Sequence, residues 1–478
     1  MILRPSKRLN QTGKTTPHRR QSNSQSSFVC GLLALAAILP LSALLTGCAC
    51  PSAGCGVPNT PCAPCVNELT VPDSQLPDFV ELASAETLVS LPAPTEAFYS
   101  IDAATSLCRA ATNLTSANLV ELERYWAQVV IECDTKNVRK NLCLDRDLMA
   151  LHATGLRNKA AGAALQAFYQ LAGLEAQKHY LQLGIEESRI TLNRIDRLRA
   201  KSIDVPDNLD RSVVVSQLAE LEDQKLQLDF LRIRLNGQLQ KMTGCPLDEY
   251  TFFWPQLDWQ PDLTPVDVET ELAVGLDTRS DLRGLSLVIC QLEKNTLTVA
   301  RGVLNFAEST VGKVEPQDGV IHWLHCFRCN EAELPVRCRQ LALFYSDTEQ
   351  RATAEIKSAA YQIILQQQRV VAGQALVEQL QDRLRELEET RDIDDISVFE
   401  ISNARARIYN AQAKLIDQAV QLSIAWGSLR EAQGMLAVEC GFSPQLCCER
   451  CCDGPCVRCN QGSCSKQTCC KSKQSCCE

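Results

Sequence analysis

The sequence predicts a mainly α-helical chain of two related long antiparallel helical hairpins, ending in a cysteine-rich irregular tail. Three observations carry this. The composition is that of long helices: aromatic residues are only 5%, Gly only 22 of 478, while Leu, Ala, Gln, Glu and Arg recur throughout. A heptad pattern runs from Ile401 to Leu436, with Gln418 its one polar exception. Finally, landmarks in the two halves of the chain recur about 190 residues apart.

Taken in chain order, residues 1–27 hold six Lys and Arg residues and no acid, and an apolar run follows from Phe28 to Leu45. This is the pattern of an export signal. Eighteen residues also approach the lower limit for spanning a bilayer, so an uncleaved anchor competes with it, as does ordinary secretion. Leu45-Thr46-Gly47-Cys48 resembles a bacterial lipobox and favours lipidation of Cys48. Removing residues 1–47 leaves 431 residues with a formal charge of −15. Diacylation plus a third chain would anchor such a protein stably. Ala49 is compatible with the outer membrane, with the body facing the periplasm.

Residues 48–97, rich in Pro and Cys and without helical period, read as a linker. The first helical repeat spans 98–250, a second linker 251–265, and the second repeat 266–439. In the second repeat Ile401, Ala404, Ile408, Ala411, Leu415, Gln418, Leu422, Ala425, Leu429, Ala432 and Leu436 advance by alternating threes and fours. This is a heptad seam with large residues on one register and small ones on the other. Val370, Val377 and Leu384 with Gly373, Leu380 and Leu387 form its counterpart. In the first repeat Val214, Leu221, Leu228 and Leu235 hold one register, and Leu218, Lys225, Arg232 and Leu239 the other. Turns are expected near 202–209 and 390–396, where Pro206, Asn208 and Asp clusters supply turn and cap chemistry. An arm of about 45 residues would reach roughly 65 to 70 Å. Tyr169 in Ala-Phe-Tyr-Gln-Leu matches Tyr361 in Ala-Ala-Tyr-Gln-Ile, 192 residues on, and Leu209-Asp210 matches Phe399-Glu400, 190 residues on.

Over roughly residues 98–437 the chain resembles the TolC-like outer-membrane efflux protein family. The resemblance rests on Asp277-Thr-Arg-Ser-Asp281-Leu282 and, more weakly, Thr112 to Leu119 as the Asn-Pro-Asp-Leu-like step. It rests also on the two Ala-Tyr-like steps, on the tips at 208–210 and 396–401, and on Leu239-Gln-Lys-Met-Thr-Gly244-Cys-Pro246 as the close of the first half. It implies a homotrimeric helical tunnel docked to a periplasmic adaptor and an inner-membrane pump. The tip residues Asp204, Asp207, Asp210, Arg391, Asp392, Asp394, Asp395 and Glu400 would ring its mouth, as gating ion pairs or, more simply, as helix caps. In that family each half also inserts a β-hairpin into an outer-membrane barrel. The intervals here lack strands of about 9 to 11 alternating residues with aromatic girdles, so the hairpins are expected to be short or missing.

Two cysteine features stand outside that frame. His322, His325, Cys326 and Cys329, with Cys338 nine residues on, offer ligands for Zn or Cu(I), but no second spaced Cys-x-x-Cys half accompanies them. A disulfide or incidental reading is therefore favoured. From Cys440 onward 12 of 39 residues are cysteine. Cys447, Cys448, Cys451, Cys452, Cys456 and Cys459 suit either disulfides, expected in an oxidising envelope, or a thiolate metal cluster. Partners are expected within the tail or among the linker cysteines Cys50, Cys55, Cys62 and Cys65.

The formal charge of −9 argues against a nucleic-acid partner. Neither a Gly-rich phosphate loop nor a Gly-x-Ser-x-Gly or His-Glu-x-x-His motif occurs, and histidines number five, so catalysis is not expected and no cofactor is required. Two functions fit: an export component, or a lipid-anchored coiled-coil scaffold whose cysteine-rich ends cross-link partners or sequester metal.

Overall fold

The computed structural model describes residues 91–92, 94–133, 139–201, 211–246, 248, 251–257, 259–314, 323–390, 398–444 and 446. Helix dominates. Strand β1 (Phe98–Ile101) leads into α1 (Ala103–Asn113), α2 (Thr115–Cys133), α3 (Arg139–Ala200) and α4 (Arg211–Thr243). Strand β2 (Phe252–Pro255) then leads into α5 (Val268–Thr278), α6 (Ser280–Cys290), α7 (Leu297–Ala307), α8 (Trp323–Thr390), α9 (Val398–Gln433) and α10 (Leu436–Glu439).

The expected arms of about 45 residues are unequal. The 62-residue α3 and the 68-residue α8 reach about 93 and 102 Å, against about 50 and 54 Å for the 33-residue α4 and the 36-residue α9. The difference is used at one end, where α2 packs on α3 and where α6 and α7 pack on α3 and α8.

The four long helices stand in the order α4, α3, α9, α8, each packed on its neighbour. The helix α9 has two partners, and the seam read at 401–436 supplies the contact with one of them, α8. Leu415, Leu422, Ala425 and Leu429 pack on Ile356, Ala360, Ile363, Val370 and Val377 of α8. A second stripe, Ile416 and Val420, joins Phe168, Tyr169, Ala172 and Ala176 of α3. That contact is tight: a Cβ on Gly173 would lie 2.5 Å from Val420 Cγ2. Gln418, the polar break in the seam, is nevertheless buried.

The duplication survives in three dimensions. The helices α4 and α9 end at Thr243 and Gln433, and Gly244 (φ 66°) and Gly434 (φ 80°) follow, 190 residues apart. A left-handed residue ends a helix best as glycine, which has no Cβ to clash. The 11-residue helices α1 and α5 dock on these two ends. Asn113 donates to the Lys241 and Met242 carbonyls at 3.4 and 3.2 Å, while Thr278 donates to Gln433 O at 2.6 Å and Arg279 to Ala432 O at 3.0 Å.

Two features depart from expectation. Residues 252–255, within the span read as a linker, pair in parallel with β1, Phe98 opposite Phe252 and Ile101 opposite Pro255. Parallel pairing needs a long crossover, and the whole first repeat supplies it. Cys440, counted with the tail, instead belongs to the body. It is 2% exposed and bonded to Cys108 of α1, 332 residues earlier, rather than to a tail or linker thiol. The chain stays on the body just beyond it, with the Arg157 guanidinium 4.2 Å above the Phe442 ring.

Candidate functional site

Where hairpin meets hairpin, charged and polar side chains tie the helices near the tips. Arg211 at the start of α4 donates to Asp196 of α3 at 2.8 Å, and Arg189 to Glu222 at 2.7 Å. The hydrogen bond from Arg211 holds the exposed Asp196 carboxyl below its ordinary value. In the second hairpin Arg405 donates to Glu388 at 2.8 Å. Ser402 joins the two hairpins, with its hydroxyl 2.7 Å from Thr191 Oγ1 and donating to Glu187 at 2.5 Å.

Further up, Arg232 of α4 is 7% exposed at its side chain and lies 2.5 Å from Glu175 and 2.6 Å from Glu96, with the Phe252 ring 4.5 Å from its guanidinium. Desolvation pushes the Glu175 carboxyl up against the pull of Arg232 and Lys178. Arg232 of α4 thus pairs with Glu175 of α3 while its guanidinium lies on a ring of β2. At the α5–α6 junction Arg279 donates to Asp281 at 2.8 Å and to Glu355 of α8 at 2.6 Å. Burial alone would raise Asp281; the bonds and charge of Arg279 outweigh it and hold the carboxyl low.

Both outer helices of the row keep large apolar side chains in water. On α4 these include Leu226, Phe230 and Ile233, and on α8 Leu343, Tyr361 and Leu365. Leu119, Leu122, Tyr125 and Trp126 of α2 are exposed as well. Exposed apolar faces of this extent mark contact surfaces.

Of the residues singled out in the sequence, Glu400 is exposed in the first turn of α9, where a negative charge suits the helix dipole. Cys48, Asp204, Asp207, Asp210, Arg391, Asp392, Asp394 and Asp395 lie outside the described residues, as do His322 and the tail thiols Cys447, Cys448, Cys451, Cys452, Cys456 and Cys459. The segment carrying His325, Cys326 and Cys329 is the start of α8, not an inserted loop. Cys338 stands nine residues beyond Cys329 on that helix, about 13 Å of axial rise away. Among the described residues no group of three or more metal-ligating side chains occurs. The disulfide and the Arg232 cluster escaped sequence reading, since neither pairs residues close in the chain.

No protein-family model and no curated protein matches this sequence. Solved structures do match. The Campylobacter jejuni CmeC outer membrane channel aligns with a TM-score of 0.50 at 12% identity, over 74% of this chain and 93% of that one. CusC aligns at 0.52 and 12% identity, over 74% and 98%, and the outer-membrane channel OprN at 0.52 and 13%, over 74% and 96%. The chain has the TolC-like fold.

Within this TolC-like fold, the described residues of the two intervals expected to carry barrel hairpins form helix and turn. The helices α2 and α3 are separated only by residues 134–138, and residues 315–322 are the only undescribed ones between α7 and α8. Each gap is shorter than one membrane strand of about 9 to 11 residues. No helix among the described residues is long and apolar enough to cross a membrane.

Proposed function

We propose that this chain is the envelope component of an export system: several copies, most simply three, close into a hollow helical tunnel fed by an adaptor and an inner-membrane pump. One observation carries the reading. The four-helix row ends in two unlike helices, α4 and α8, each with an exposed apolar edge. Unlike edges pair head to tail, and head-to-tail pairing makes a ring when the rotation between copies closes. Diacylated Cys48 would hold the ring at the outer membrane, with no need of a barrel. Substrate would diffuse through the lumen without covalent chemistry, so the function needs assembly and gating rather than catalysis.

Ser402 with Thr191 and Glu187 would hold the two hairpins together in the resting state, while Arg211–Asp196 and Arg405–Glu388 brace each hairpin from within. An adaptor that offers alternative partners to Glu388, Arg405 and the carboxylates at 204–210 and 392–400 would let them separate. Electron microscopy of the full-length protein extracted from membranes tests the proposal: a hollow ring is expected, and a solid rod or a single chain would reject it. The absence of strands from the described parts of both barrel intervals favours a second reading, a lipid-anchored scaffold, and that solid rod is its signature.

A further inference from the structure

The cysteine-rich tail cannot satisfy all of its sulfur by itself. With Cys440 bonded to Cys108, eleven cysteines remain from Cys447 to Cys477. An odd number does not pair off within one tail, so a partner lies elsewhere or a thiol is left over. Apolar packing cannot order this segment either, because Val457 is the one aliphatic residue in 447–478.

The last described residues show the direction in which the tail sets out. From Cys440 the chain runs up α3, away from the tips. Phe442 lies at Arg157, and Leu446 packs against the buried cluster whose α3 members are Leu144 and Leu151. That cluster sits at the upper end of the body, where α2 is followed by α3 and α7 by α8.

The cysteines of the body are gathered at the same end. Cys133 closes α2, Cys143 lies in the second turn of α3, Cys290 closes α6, and Cys326, Cys329 and Cys338 lie in the first turns of α8. Residues 144–244 and 339–439, which form the rest of both hairpins, contain none. Cys143 adjoins Leu144, Cys290 adjoins Ile289, and Cys338 is one turn from Leu341, all residues of the cluster on which Leu446 rests or packed against it. Cys447 and Cys448 follow Leu446 directly, so their Cα atoms stand no more than about 4 and 8 Å from its own.

We propose that the tail, residues 447–478, folds over the upper end of the body and is fixed there by disulfides between its cysteines and this upper set. Each bond joins two thiols and passes two electrons and two protons to a disulfide of an oxidising envelope protein, which is reduced to its dithiol. The occupant of this end is thus the chain's own carboxyl terminus, held by sulfur because it has almost no apolar side chains with which to pack. The inference rests on the envelope location proposed above and not on the tunnel.

The full-length protein extracted from membranes, its thiols trapped with iodoacetamide in denaturant and its peptides mapped without reductant, tests the docking. At least one disulfide is expected between a peptide from 447–477 and a peptide holding a cysteine of the upper set. Tail bonds confined to the tail itself, to the linker or to the tail of a second copy overturn it, as does a tail alkylated at all eleven positions while Cys108 and Cys440 stay bonded. Alkylation of Cys108 and Cys440 as well means that the chain met no oxidant, and that outcome sinks the envelope location too. Separately, serine at all eleven tail positions, with Cys108 and Cys440 kept, should expose to the label at least one upper cysteine that is unlabelled in the wild type. An unchanged labelling pattern of the upper set, with the Cys108–Cys440 bond intact to show that the body has folded, also overturns the docking.

Discussion

Asp145 lies on α3, and desolvation raises its carboxyl to about 6. An unfolded aspartate ionises near 3.9. The folded state therefore binds a proton more tightly, and the contribution is present below about pH 4 and lost as pH rises toward 6. Asp145→Asn should remove that loss and stabilise the protein at pH 7.5 by about 1 to 3 kcal/mol, flattening the pH dependence of denaturant melting between 4 and 6. Equal stability changes at pH 4 and pH 7.5 would show that the carboxyl is not the cause. Nothing around Asp145 in the sequence announces its burial, which depends on how α3 meets its neighbours. The Cys108–Cys440 bond was illegible for a related reason. Cys440 opens a dense run of cysteines, and density alone assigns it to that run, whereas its partner is fixed by how α1 and α10 meet in the core.

Helices were the most legible level. The heptad seam at 401–436 located α9, and its large-residue register, Ile401, Ile408, Leu415, Leu422, Leu429 and Leu436, is buried throughout. The first repeat was harder to read because Arg232 occupies a seam position, and the structure buries it by pairing it with Glu175. Strand β2 could not be read, since four residues of Phe-Phe-Trp-Pro become a strand only when β1 lies alongside. At this scale the decisive position is Gly173. Gly173→Val would drive a side chain into Val420 and should cost about 1 to 3 kcal/mol in thermal or denaturant melting. Val420→Ala in the same chain should recover part of the loss; strict additivity of the two changes would mean that the helices do not meet there.

Over the whole molecule, the sequence resemblance and the solved channels agree on architecture, and the described residues of the α2–α3 and α7–α8 intervals form helix and turn. In the proposed export component, attachment would depend on Cys48. Cys48→Ser should move the protein from the membrane to the soluble fraction and remove the mass of the acyl chains; unchanged partitioning and mass would reject lipidation. The covalent link between Cys108 and Cys440 adds an ordering in time. A ribosome must add 332 residues after Cys108 before the second sulfur exists to react, and the reaction needs surroundings more oxidising than the cytosol. Closure thus waits for the synthesis of both repeats, and a product that stops short of Cys440 would emerge with its first repeat unlatched from its second.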